Sequence, residues 1–73
     1  MKQPSIKRRE DELLSTHPIR SRVEGWFFRV REDSSGVFIV DGVDLWGRTV
    51  SAVGGDPDVV REECEQWAAE HAA

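Results

Sequence analysis

The chain reads as an α+β domain: a three-stranded antiparallel β-meander packed on one C-terminal α-helix, with a short N-terminal helix ahead of it in an αβββα order. Three observations predict it. Apolar residues alternate with period two from Arg22 to Val53, two D-x-x-G turns divide that stretch, and a glycine-proline start signal precedes a helical stripe at the C-terminal end.

The elements follow in order. Residues 1–21 form a leader, partly helical or flexible, in which a helix starts at Ser5 with Ile6, Leu13 and Leu14 as its apolar positions and stops at His17-Pro18. Residues 22–73 form the βββα domain. Asp33-Ser34-Ser35-Gly36 and Asp44-Leu45-Trp46-Gly47 each suit a three-residue hairpin loop, with the glycine at positive φ and the aspartate accepting backbone N–H groups. Closing both loops that way sets Asp33 opposite Val37, Val30 opposite Val40, Val40 opposite Ala52, and Arg29 opposite Asp41 as a cross-strand ion pair. One face then gathers Trp26, Phe28, Val30, Phe38, Val40, Val50 and Ala52. The other gathers Phe27, Arg29, Arg31, Val37, Ile39, Asp41, Val43, Thr49, Ser51 and Val53. A one-residue slip would mix the two sets, and the competing turn at Asp41-Gly42 would leave the end of the third strand unpaired.

Gly54-Gly55-Asp56-Pro57 then permits a bend, supplies a capping carboxylate and places proline where a helix needs no N–H. Val60, Cys64, Trp67, Ala68 and His71 recur at helical spacing and cover the Trp26/Phe28 face.

Composition narrows the class of function. Apolar residues make up 38% and charged residues 33%, a mixture that folds rather than one too polar to collapse. No apolar run approaches the roughly 18 residues of a membrane span, so no membrane role and a cytoplasmic location are expected. One cysteine cannot form an internal disulfide. Charge is uneven: residues 1–31 hold eight of the ten Lys and Arg against four acids, a balance of +4, while residues 32–73 balance at −8.

Catalysis, metal and cofactor have little to stand on. Cys64 and His71, seven residues apart on one helical stripe, read as a buried thiol and a terminal histidine rather than half a metal site. The carboxylates of Glu10-Asp11-Glu12 and of Glu62, Glu63 and Glu65 read as solvated helix surface, with no cleft to raise a pKa. A phosphate at the helix start would meet Asp56 and Asp58.

Binding is the better-supported class. Trp46 stands at a hairpin tip, where the turn has no use for an indole and an exposed tryptophan can anchor a partner. The Phe27 face is too apolar for ordinary surface, with Phe27, Val37, Ile39, Val43 and Val53 on it. Three covers are available: the leader laying Ile6, Leu13, Leu14 or Ile19 across it, a second copy, or another protein. The expected function is therefore a non-enzymatic interaction module that binds a protein partner or itself through Phe27, Arg29, Arg31, Ile39, Val43 and Trp46.

The alternative is nucleic acid, bound by the basic N-terminal half and the strand arginines. The helix, three strands, helix order resembles double-stranded-RNA-binding domains, although their last helix starts basic and this one offers Asp56, Asp58, Glu62 and Glu63. Three strands carrying Arg29, Arg31, Arg48 and Trp46 are similar to plant-type sheet readers of the DNA major groove, with Asp41 and Asp44 lying among them. The strand-strand-strand-helix order in a small acidic chain also looks like bacterial antitoxin and immunity-type proteins, which neutralise a partner by surface complementarity.

Overall fold

A computed structural model describes residues 6–71, and from Arg8 onward their side chains. The order is α1 (Ile6–Thr16), β1 (Ile19–Arg20), β2 (Trp26–Ser34), β3 (Val37–Asp44), β4 (Thr49–Gly54) and α2 (Pro57–His71). The fold is α+β with one antiparallel sheet in the order β1-β2-β3-β4, so the sheet has four strands rather than the three expected. The added strand is only Ile19 opposite Phe28 and Arg20 opposite Phe27. Two residues are too few to show a period, which is why alternation begins visibly only later.

The register matches the turn-based expectation at Val30 with Val40, Arg29 with Asp41 and Val40 with Ala52. Gly36 and Gly47 have φ of 76° and 88°, the left-handed region that both turns require. The first turn differs in one detail: Ser34 rather than Asp33 pairs with Val37, and Asp33 is the extra residue of a bulge. Gly42 lies inside β3 and forms no turn. A Cβ there would overlap Phe28 Cε1 and stand 2.9 Å from Val50 Cγ1, so glycine is needed for the phenyl ring to cross the strand.

Each sheet face has its own cluster. Trp26, Phe28 and Val40 pack beneath Val60, Cys64 and Ala68 of α2, with Ile19, Val23 and Trp67 at the margin. Asp56 caps α2, its Oδ1 accepting the N–H groups of Asp58 at 3.0 Å and Val59 at 3.4 Å. His71 stacks on Trp67 with ring centroids 4.1 Å apart, while Cys64 is buried.

On the opposite face Leu13 of α1 covers Phe27 and Val43, with Leu14 and Leu45 beside them. The leader is thus a cover for part of this face through Leu13 and Leu14. Ile19 turns to the other cluster, and both the Ile6 side chain and the helix start expected at Ser5 lie outside the described residues. Glu65, expected on a solvated surface, is buried: its Oε2 accepts Ser21 Oγ–H at 2.9 Å and the Arg22 N–H at 3.2 Å, fastening the segment after β1 to α2.

Candidate functional site

The outer face of the sheet divides along its strands into three zones. Nearest the β3–β4 turn, Phe27 and Val43 retain 1% and 9% of their accessible surface beneath Leu13. Both were expected on a docking surface. They are instead part of the core, because α1 lies across that end and removes them from solvent.

The middle zone is polar. Arg29 Nε donates to Asp41 Oδ2 at 3.2 Å, Arg31 Nε to the same oxygen at 2.9 Å, and Ser51 Oγ–H to Asp41 Oδ1 at 2.9 Å. Burial pushes the Asp41 carboxyl upward, but the hydrogen bonds from Arg31, Ser51 and Arg29 outweigh it and hold the group below its ordinary range. His17, just beyond the end of α1, responds to the same charges. Its pKa is lowered first by burial and then by the Arg29 guanidinium, against a smaller opposing pull from Asp41.

The far zone stays open. Ile39 and Val37 are half-buried, and Val53, directly opposite Ile39, keeps 61% of its surface.

Trp46 stands apart from all three, in the β3–β4 turn. Asp44, 1% exposed, accepts the backbone N–H of Trp46 (2.9 Å) and of Arg48 (2.7 Å) on Oδ1 and the Arg48 Nε–H (2.6 Å) on Oδ2. Arg48 also donates through Nη1 to the His71 carbonyl at 2.6 Å, and its guanidinium sits 5.8 Å from the Trp26 ring centre. Leu45 N–H bonds to the Gly25 carbonyl, and its side chain joins the Leu13 cluster. The backbone carrying Trp46 is fixed on several sides, yet the indole keeps 76% of its surface exposed. Asp44 and Ile39 stand five positions apart along β3, roughly 17 Å, so the Trp46 turn and the open far zone lie at opposite ends of the strand.

The six residues expected to form one patch therefore fall into three groups: Phe27 and Val43 in the core, Arg29 and Arg31 on Asp41, and Ile39 and Trp46 at opposite ends. Among the described residues no cluster of three or more His, Cys, Asp or Glu side chains has the geometry to hold a metal, and no helix is long and apolar enough to cross a membrane. Comparison of the chain with protein-family models, with curated proteins and with solved structures finds no match.

Proposed function

We propose that the chain is a non-enzymatic interaction module that binds a protein partner with Trp46 as its anchor. The observation that carries this reading is the pairing of a fixed backbone with a free indole. Tryptophan on a surface leaves a large apolar ring in water, and a turn built by Asp44, Gly47 and Arg48 has no need of one at that position. Because the turn is already ordered, a partner closing over the ring loses little backbone entropy in binding it.

The arginines favour protein over nucleic acid as partner. Arg20 pairs with Glu10, Arg22 with Glu65, Arg29 and Arg31 with Asp41, and Arg48 with Asp44. A phosphate would have to draw each of them from an acid already in place, beside a C-terminal half whose own balance is −8.

The test compares the parent with Trp46→Ala, immobilised and exposed to extract of its native cell, with light scattering on each alone. The exposed ring predicts a melting temperature within a few degrees of the parent, together with loss of a protein that the parent retains. A dimer that dissolves in Trp46→Ala would assign the partner as a second copy. Retention of the same proteins by both chains refutes the reading.

A further inference from the structure

We infer that the free edge of β4 is a second interaction site, independent of Trp46, which takes an extended basic segment of another protein as an added antiparallel strand. The hydrogen-bond phase of the sheet shows which groups are on offer. Asp44 N–H bonds to the Arg48 carbonyl at 3.0 Å, so hydrogen-bonded pairs recur two residues on at Gly42 with Val50, Val40 with Ala52 and Phe38 with Gly54. Thr49, Ser51 and Val53 are then the non-bonded partners, and their N–H and C=O groups point away from β3. The other side of the sheet gives the same phase, since Ser21 N–H reaches the Trp26 carbonyl.

No other element of the described chain pairs with that edge. All three residues are exposed, and Thr49–Gly54 contains no charge, no proline and no bulge, the usual devices that keep an edge from pairing. The opposite edge is treated differently. There β1 covers Phe27 and Phe28, and the remainder of β2 carries Arg29, Arg31, Glu32, Asp33 and a bulge.

Charge selects the occupant. Glu65 of α2 faces Ser21 and Arg22 beside β1, so the opposite flank of the helix overhangs the open side of β4. That flank carries Glu63 and Glu70, exposed and spaced by seven residues, roughly 10.5 Å along the helix, with the exposed capping Asp56 seven residues before Glu63. Among the described residues none of the three has an ion pair with a basic side chain. A strand added roughly 4.8 Å beyond β4 would place alternate side chains beneath this row and the others beside Thr49, Ser51 and Val53. Lysine or arginine fits the first set, and β-branched residues fit the second. A second copy of this chain does not fit: pairing two β4 strands about Ser51 would bring the two acidic rows against each other.

The probe is a capped heptapeptide alternating lysine and valine, titrated into the full chain while amide exchange is followed by NMR. The amides of Thr49, Ser51 and Val53 should exchange rapidly in the free protein and slow on peptide binding. Valine, on the outer face, supplies the bonds to β4. N-methylating the valines should weaken binding about a hundredfold, through the loss of several hydrogen bonds. N-methylating the lysines should leave it intact. Replacing the lysines by glutamate should cost about tenfold, and the Glu63→Lys/Glu70→Lys double variant should reverse that preference. Val53→Pro removes only an outward N–H and should abolish protection while the fold persists. Equal binding by both N-methylated series, loss only in the lysine series, or amides already protected in the free chain at low micromolar concentration would each overturn the proposal. Trp46→Ala should bind the peptide like the parent, which separates this site from the first.

Discussion

Replacing Gly42 by alanine is the sharpest perturbation of this core. The new methyl would overlap Phe28 Cε1 and come within 2.8 Å of Phe28 Cδ1 and 2.9 Å of Val50 Cγ1. Phe28 is fully buried and stacks on Trp26, ring centroids 6.3 Å apart, so its ring has no solvent-facing direction in which to retreat. Relief requires β3 to move from β4 or the ring to leave its rotamer, and overpacking of that kind costs about 1–3 kcal/mol. A domain of this size has roughly 4–11 kcal/mol in total at typical stability per residue. At 4–8 °C per kcal/mol, a cost of about 2 kcal/mol lowers the melting temperature by roughly 8–16 °C. Circular dichroism melts of the two chains measure the shift. A Gly42→Ala variant melting within about 2 °C of the parent would mean that the ring does not cross the strand there, and the register built around it would fall.

Leu13→Ala should cost about 2–3 kcal/mol in urea unfolding, the lower end for a buried leucine because α1 rests on only a small cluster; an effect under about 0.5 kcal/mol would show that α1 is not the cover of Phe27 and Val43. Asp44→Asn should cost about 2 kcal/mol, since the turn loses charge-assisted bonds while the partly exposed Arg48 regains water; an unchanged melt would remove Asp44 as the fastening of the Trp46 turn. Acidification should act in two stages. His17 has a folded pKa below its ordinary 6.5, so protonating it is harder in the folded chain and stability falls as pH drops through and below 6.5. Asp41 has a folded pKa below its ordinary 3.8, so its contribution is complete above 3.8 and is lost as pH falls through the folded value. Melting temperature against pH should lose its first stage in His17→Gln, and a profile identical to the parent would refute the assignment.

What the sequence disclosed, and what it withheld, follows from the range over which each signal acts. Asp44-Leu45-Trp46-Gly47 carries its own geometry, and the opposed Arg29 and Asp41 agree with the register it sets, so pairing was legible across three strands. The start of α2 was equally local, because Gly55, Asp56 and Pro57 are a cap whatever lies nearby. β1 was not legible, since Ile19 and Arg20 become a strand only when Phe27 and Phe28 stand beside them. Nor was the burial of Glu65, which depends on Ser21 and Arg22, more than forty residues away, reaching its carboxylate. The patch that alternation outlines is larger than the exposed one for the same reason. Phe27, Val43, Ile39 and Val53 share a face by alternation, but only the docked position of Leu13 decides which of them meet water.

That docked position also explains why exposure concentrates where it does. α1 is fastened in its first half, through Arg9 Nε to the Leu45 carbonyl at 3.4 Å and the Arg20–Glu10 pair at 3.8 Å, and it ends at Thr16 before Pro18. An eleven-residue helix covers about 16 Å at 1.5 Å per residue, enough for the Phe27 end of a nine-residue strand but not for its whole length. What lies past it is made tolerable by two means. The Arg29, Arg31, Asp41 and Ser51 network gives the middle rung a polar surface, and the half-buried Ile39 rests beside that network. The network reaches β4 only through the Ser51 hydroxyl, which leaves the outward backbone groups of that strand and the Val53 side chain uncovered, and neither means reaches Trp46 at the other end. An internal cover is therefore missing at both proposed sites, Val53 with the β4 edge at one end and Trp46 at the other, while Val30 on β2 and Val59 on α2 are exposed as well.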